Sequence, residues 1–437
     1  MKRFAVVGGG ITGLAAAYEL RCCDDDADVV VHEASPRAGG KVRTSEFAGR
    51  AVDEGADAFL ARVPWGLDLC RELGIDTTLV SPAASKAYVW WDGALRAIPP
   101  GTVLGVPTDP STFDAPGLVD GPLVARPAAA PLAEGVDVSV GALVRPQLGD
   151  DLFERLVDPL IGGINAGDCD HLSVRAVAPQ LAAAAERDED LTRGLRTGAT
   201  APQGPVFHSP VGGMGALVDA LLAWLRAHRV DVRTSSQPAL TDLDADEVVV
   251  TTPAYEAARM LDDVAPRAAK ELASIAYASV AMITLAYPRH ALGRELDGSG
   301  FLVPRGTGLL VTACSWSSSK WAQLAPAEGG SIVVRASVGR IDDERFVALD
   351  DDALVQQVTG ELATTSALRG APVDVRVTRW LRSFPQYEPG HLERVASIER
   401  LLEEEAPHVV VTGAAFRGLG VPACIRQGRE AAVRAAS

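Results

Sequence analysis

No window of the 437-residue sequence reaches about 18 uninterrupted apolar residues, so no membrane-spanning helix is expected. Glycines arrive at positions 8–10, before the apolar region of a signal peptide could finish, so no secretory leader is read at the start. Lysine is scarce, with five residues (Lys2, Lys41, Lys86, Lys270 and Lys320) among 41 basic ones against 57 acidic ones. The net charge of −16 repels polyanions and argues against nucleic acid as a partner. An anionic small molecule would need a local basic pocket. The six cysteines (Cys22, Cys23, Cys70, Cys169, Cys314 and Cys424) form no C-x-x-C, and no His-x-x-x-His lies near them. Neither zinc nor a disulfide framework is indicated, and buried thiols in a reducing cytosol are expected. No internal repeat, low-complexity tail or Ser-His-Asp arrangement stands out.

The remaining composition is that of an ordinary globular chain, 47% apolar and 22% charged. At about 100–200 residues per domain, two or three domains are expected, with ample length for a large core.

Phe4-Ala5-Val6-Val7 is a short apolar run suited to a strand buried on both faces. Gly8-Gly9-Gly10-Ile11-Thr12-Gly13 follows, then a helical stretch from Leu14 to Leu20. This is G-x-G-x-x-G after a strand and before a helix, the context that gives the motif its meaning. Gly8 permits the tight turn, Gly10 lets a pyrophosphate approach the backbone, and Gly13 lets the helix pack on the strand. The helix N-terminus offers free N–H groups and partial positive charge to phosphates. A second strand, Val29 to His32, ends in Glu33, twenty residues beyond Gly13, where a carboxylate can hold a ribose. An acid there disfavours a 2′-phosphate, and so NADP.

After the acid and Ala34 comes Pro36-Arg37-Ala38-Gly39-Gly40-Lys41-Val42-Arg43-Thr44. It resembles the second glycine motif of the amine-oxidase and phytoene-desaturase superfamily of FAD proteins. That resemblance implies a loop folded over FAD, with Lys41 and Arg43 near the pyrophosphate. Val52-Asp53-Glu54-Gly55-Ala56-Asp57-Ala58-Phe59-Leu60 is similar to the segment that passes the isoalloxazine in that superfamily. For Asp53, Glu54 and Asp57 the competing reading is a solvated turn.

Later strands must complete the dinucleotide sheet. Val230–Arg233, Glu247–Pro253 and Val409–Ala414 qualify, the last followed by Gly418, Gly420 and a helix from Gln427. The β-branched and aromatic segments Val280–Tyr287, Ser331–Val338 and Val373–Trp380 suggest a second sheet. Residues 104–205 open with a Pro/Gly-rich loop and then carry helical patterns near Val140–Leu148, Leu152–Leu160 and Val174–Ala185. Ala182–Ala185 is read as helix packing and Arg187–Asp190 as a solvated face.

Several mid-chain motifs narrow the resemblance. Asp158-Pro159-Leu160-Ile161-Gly162-Gly163-Ile164-Asn165-Ala166-Gly167-Asp168 and His171-Leu172-Ser173-Val174-Arg175-Ala176 resemble segments of protoporphyrinogen and coproporphyrinogen oxidases. So do Ser209 to Leu217, Cys314 to Trp321, Phe384 to Leu392, and the end from Gly413 to Ala432. Where that family usually has an aromatic in the first of these turns, this chain has Asn165.

Membership of that family implies an α/β fold: a discontinuous Rossmann-type FAD domain (1–81, 206–259, 400–437), a mixed-sheet substrate domain (82–103, 260–399) and a helical insertion (104–205). It implies FAD contacts at Gly8, Gly9, Gly10, Ile11, Thr12, Gly13, Glu33, Ala34, Lys41, Val42, Arg43, Gly55, Ala56, Asp57, Ala58, Ala239, Trp380, Leu419, Gly420 and Val421. Leu160, Gly163, Val280 and Met282 are the expected substrate lining, though alternate residues of any strand face a core. No catalytic residue is assigned. His171 and His391 are read as hydrogen-bonded structural residues rather than proton acceptors.

The implied reaction removes six hydrogens from a porphyrinogen in three flavin-dependent turns, with oxygen as acceptor and hydrogen peroxide as by-product. The motif C-x-W-x-S-S-K-W resembles the type that acts on the four-propionate substrate, coproporphyrinogen. Arg62, Lys86, Arg96 and Lys320 are the candidate propionate partners, against a reading as plain surface charges. Handover of product to a ferrochelatase, a cytoplasmic location and a peripheral membrane contact are compatible with this reading. The rivals are protoporphyrinogen oxidation, a flavin amine oxidase (for which Cys424 lies near the expected flavin-linked cysteine), a carotenoid-desaturase-like enzyme, and a non-catalytic FAD or porphyrin carrier.

Overall fold

The strand Arg3–Val7 is buried on both sides because it lies in the middle of a five-stranded parallel sheet. Its neighbours are Asp28–His32 on one side and Glu247–Val250 on the other. Asp231–Arg233 and Val409–Val411 form the two edges. The computed structural model describes residues 2–198, 204–327 and 329–437. By its contacts the chain divides into two compact units, Met1–Ser81 with Gly204–Ala276 and Leu392–Ser437, and Pro82–Gln203 with Tyr277–His391.

In the first unit the helices Ile11–Cys23, Gly215–Ala227 and Val421–Ala436 share one core with the parallel sheet. The helix Ile11–Cys23 starts three residues before the stretch read from sequence, inside the glycine motif itself. Gly428 lets the helix Val421–Ala436 approach it closely, since a Cβ there would stand 2.2 Å from the Thr12 carbonyl oxygen. That last helix begins at Val421 and not at Gln427, because Pro422 sits in its first turn, where its missing N–H costs nothing. Residues 260–276, assigned from sequence to the substrate domain, belong to this unit. Arg267 explains the placement by pairing with Glu404 and Glu405.

The second unit is built on a seven-stranded sheet. Its order is Asp374–Pro385, Tyr277–Pro288, Ser331–Val338, Val311–Ser315, Gly300–Leu302, Tyr88–Trp91 and Ala94–Ala97. All pairs are antiparallel except Tyr88–Trp91 with Gly300–Leu302. One face packs Ala281, Ile283 and Leu285 against Leu354, Val358 and Leu362 of the helix Asp351–Thr365. The helices of segment 104–205, read from sequence as a domain of their own, share this unit. Val89 of the sheet lies in the same core as Val144, Leu156 and Leu181 of those helices. The expected helix near Leu152–Leu160 contains a π-helical stretch, Phe153–Val157, before the α-helix Asp158–Asn165. The pattern at Val174–Ala185 breaks at Ala178, ahead of Pro179. Asp190, expected on a solvated face, instead caps the helix Leu191–Gly198, accepting the N–H and hydroxyl of Thr192.

Among the described residues no helix is long and apolar enough to cross a membrane. Four of the cysteines are buried as expected, but Cys22 and Cys23 are exposed at the end of the first helix.

Candidate functional site

The turn after the first strand needs its glycines. Gly8 has φ +108°, a conformation L side chains rarely adopt, and a Cβ on Gly13 would stand 1.9 Å from the Gly8 carbonyl oxygen. Gly10 differs, because nothing lies within 4 Å of where its Cβ would be. The open space lies at the start of a helix whose first turn is buried and has no side-chain cap. A buried helix end without a cap is what a bound anion would satisfy. Thr251 supports the turn from beneath, its hydroxyl donating to the Gly8 carbonyl at 2.9 Å.

Glu33, at the end of the second strand, flanks the glycine turn. One carboxylate oxygen accepts the Gly9 N–H and the other the Ser35 N–H, each at 2.8 Å. Every carboxylate oxygen has a second lone pair, so hydroxyl donors can still be received. The segment carrying Ala239 runs beside this corner, with Ser236 donating its N–H to the Glu33 carbonyl. Ala34 and Ala239 are both exposed.

The second glycine loop lies on the first. Gly39 donates its N–H to the Gly9 carbonyl at 2.7 Å, and Gly40 comes close to the Gly10 Cα. Lys41 keeps accessible surface, while desolvation by the surrounding protein lowers its pKa. Cys424 lies near it. Burial pushes that thiol up, opposed by the Thr12 hydroxyl and the Lys41 charge. Val42 is buried. Arg43 is held through its Nε at 2.9 Å from the buried Glu54 carboxylate. Gly55 allows close approach to the Lys41 carbonyl.

The solvated-turn reading of Asp53 and Glu54 therefore fails, since both are buried. Asp53 accepts the Met214 N–H at 2.9 Å and the Thr44 hydroxyl, and Thr44 accepts the Gly215 N–H. This joins the Asp53 segment to the glycine turn at the start of the helix Gly215–Ala227. Ala56 is exposed, and Asp57 and Ala58 are half-buried. Leu419, Gly420 and Val421 form the turn and first residue of the helix Val421–Ala436. The first unit thus gathers every expected flavin contact except Trp380.

Trp380 belongs to the second unit, across from Val280 on the neighbouring strand. A row runs across all seven strands of that sheet in register: Arg96, Val89, Leu302, Ala313, Ser337, Met282 and Thr378. Residues in such a row share a face. Val280 and Met282 lie on it, half-buried, while Ala281 and Ile283 between and beyond them are fully buried on the other face. The helix Asp158–Asn165 lies over the same face, since a Cβ on Gly163 would be 3.7 Å from Leu302. The structure therefore brings Leu160, Gly163, Val280, Met282 and Trp380 to one side of the sheet. In the middle of the row the side chains are small, Ala313 and Ser337.

That helix is fixed at both ends by groups the sequence reading missed. Arg305 donates to the buried Asp158 carboxylate at 3.2 Å and also binds Asp342 and the Gly167 carbonyl. Burial raises the Asp158 pKa, against the pull of Arg305. Gln386 donates its amide to the Asn165 carbonyl at 3.1 Å, and Asn165 donates back to the Ile161 carbonyl. Asn165 thus has a turn-closing role where the family has an aromatic.

The two histidines part company. His391 is fully buried against Tyr387, ring centroids 4.4 Å apart. His171 is exposed, 4.0 Å from Asp168. Among the expected propionate partners, Lys86 is already paired with Asp297 at 2.9 Å. Lys320 lies over the Trp321 ring, and Arg62 is exposed. The Nε of Arg96 is buried without a hydrogen-bond partner.

Residues 11–436 match the family described as flavin containing amine oxidoreductase. The chain is 33% identical to a coproporphyrinogen III oxidase of Bacillus subtilis (strain 168), covering 98% of this chain and 97% of that protein. It is 36% identical to one of Mycobacterium leprae (strain TN), covering 97% and 96%. A solved protein from Exiguobacterium sp. 255-15 superposes with a TM-score of 0.88 at 31% identity, covering 99% and 98% of the two chains. With a glycine turn, an acid at the end of the second strand and a desolvated lysine in one unit, this chain belongs to the flavin-containing amine oxidoreductases, in the company of coproporphyrinogen III oxidases, and is an FAD-dependent oxidase.

Proposed function

We propose that the chain oxidises coproporphyrinogen III to coproporphyrin III in haem biosynthesis. The observation that carries this reading is the match, over nearly the full length of both chains, to relatives bearing that name. The sheet face with small residues at Ala313 and Ser337 supports it, since a broad macrocycle needs a floor free of bulky side chains.

Bound FAD would supply the hydride-accepting chemistry, with oxygen as the final acceptor and hydrogen peroxide as by-product. In the first unit, Gly8 to Gly13, Glu33, Ala34, Lys41, Val42, Arg43, Gly55 to Ala58, Ala239 and Leu419 to Val421 would hold the cofactor. Glu33 takes ribose hydroxyls, and the first turn of the helix Ile11–Cys23 faces the pyrophosphate. Trp380 is the one expected contact that belongs to the second unit. In that unit Leu160, Gly163, Val280 and Met282 line the macrocycle. Arg96, on the same sheet face, is the cation best situated for a propionate.

Each of three turns takes a hydride from a methylene bridge and releases a proton. Two of the three protons come from pyrrole N–H groups and one from the fourth methylene bridge, so six hydrogens are removed and three oxygens consumed. Aromatisation drives the sequence, so a strong protein base is not required. The protein works in the cytoplasm and passes its product towards ferrochelatase, with at most a peripheral contact with membranes.

The test is to offer coproporphyrinogen III and protoporphyrinogen IX, prepared without air, in parallel to the yellow protein. Porphyrin fluorescence and peroxide are followed after oxygen is admitted. Faster turnover of the four-propionate substrate is expected. Faster turnover of the two-propionate substrate would overturn the substrate assignment while keeping the chemistry. No turnover of either, with FAD bound, would overturn the oxidation itself.

A further inference from the structure

Gln427 is a buried carboxamide in the second turn of the helix Val421–Ala436, and its bonds run back to the loop in front of that helix. Its oxygen accepts the Arg417 N–H at 2.7 Å. Its nitrogen donates to the Gly418 carbonyl at 3.0 Å and to the Ala423 carbonyl at 3.1 Å. Both donors and one acceptor site are thus committed to main-chain groups on the two sides of Leu419-Gly420-Val421. The Cys424 sulfur lies 3.6 Å from the Leu419 carbonyl, on the same inner side. With the Gly418 and Leu419 carbonyls turned inward, the loop keeps its amide groups for the other side. Among the described residues no group accepts the N–H of Leu419, Gly420 or Val421, and Gly420 caps the helix without a side chain. Arg417 is itself anchored, gripped by both oxygens of Glu399 at 2.6 Å.

We infer that Gln427 is a positioning residue for the flavin: by clasping both flanks of the loop it aims the N–H groups of Leu419–Val421 at the cofactor and so sets the cofactor's reduction potential. This rests on the proposed flavin contacts at those three residues. A reduced flavin carries more negative charge than an oxidised one, and N–H groups fixed towards it favour the reduced form. Loosening the clasp therefore weakens FAD binding and lowers the potential.

The test uses the full-length protein with Gln427→Leu and Gln427→Glu. FAD affinity is measured by fluorescence titration of the apoprotein, and the potential of bound flavin by equilibration against a reference dye. Gln427→Leu is expected to bind FAD about tenfold more weakly. Its reduced-to-oxidised ratio at fixed poise is expected to fall about tenfold, which for a two-electron couple is about 30 mV. Gln427→Glu keeps the acceptor and the size but loses both donors at neutral pH. Its potential is expected to recover as acidification protonates the new carboxyl and restores a donor, and this variant carries the test if the leucine variant does not fold. A potential and flavin spectrum equal to wild type, with only the melting temperature lowered, would overturn the inference. Gly10→Ala serves as the control for the cofactor site. If it too left FAD affinity unchanged, the placement of the flavin would be at fault rather than the role of Gln427.

Discussion

The Glu33 carboxylate and the Gly9 amide are 2.8 Å apart, so the acid that ends the second strand is tied to the glycine turn that ends the first. The other carboxylate oxygen takes the Ser35 N–H, and the charge is therefore held in place before any ligand hydroxyl meets it. Glu33→Gln sets an amide donor against one of these two N–H groups. Hydrogen bonds to a charged group contribute about 1.5–3 kcal/mol, so FAD affinity is expected to fall roughly 10–100-fold. Titration of the apoprotein with FAD measures this, and an unchanged affinity would place the ribose elsewhere.

Two glycines of one motif should respond differently to the same added methyl group. At Gly13 the new Cβ collides with the Gly8 backbone, whereas at Gly10 it meets only open space. Gly13→Ala is expected to destabilise the fold by at least about 1–3 kcal/mol, the usual cost of overpacking. Gly10→Ala should leave the melting temperature of the apoprotein nearly unchanged while weakening retention of FAD. Melting curves with and without added FAD separate the two. Equal loss of apoprotein stability in both variants would contradict the geometry.

Asp297 lies 2.7 Å from the Tyr88 hydroxyl and 2.9 Å from the Lys86 ammonium, and these donors hold its carboxyl down at about 2. In the unfolded chain the same group protonates near the ordinary value of 3.8. The folded pKa is the lower one, so the stabilisation is present above about pH 4 and is lost as pH falls towards about 2. Asp297→Asn should therefore be less stable than wild type at neutral pH, with the difference shrinking over that acid window. Melting temperatures of the two proteins across the window test this, and a difference independent of pH would contradict it.

Thiol reactivity offers a check on burial. Cys22 and Cys23 are exposed while Cys70, Cys169, Cys314 and Cys424 are buried. An aromatic disulfide reagent should find two thiols in the folded protein and all six after denaturation. Desolvation raises the pKa of both exposed thiols, so their rates should climb steeply as pH passes the normal thiol range. Fast reaction of a third thiol in the native protein would show that one of the buried sites opens.

The glycine turn, its strands and its acid were legible because their meaning is local: a run of β-branched residues, glycines at fixed spacing and a carboxylate at the right distance. The face of the strand bearing Val280 and Met282 was legible only as an even choice. Alternation says that two faces exist, not which one the helix Asp351–Thr365 covers. The start of the helix at Val421 was obscured by Gly418, Gly420 and Pro422, which read as loop until the proline is seen in the first turn. Lys86 read as a free cation because its partner, Asp297, is 211 residues away. The clasp of Gln427 depends on a rotamer and on chain neighbours that spacing does not encode.

Gly428 brings the helix Val421–Ala436 against the helix that follows the glycine turn, and Val409–Val411 forms an edge of the same sheet. The earliest part of this fold to leave the ribosome therefore finds its last partners only after some four hundred more residues have been made. During that interval the side of the helix Ile11–Cys23 that meets the helix Val421–Ala436 is uncovered, a state open to aggregation and to capture by chaperones. Cofactor loading then waits for residues 409–436, and translation pauses just before that segment should lower the yield of yellow protein more than pauses within residues 104–205.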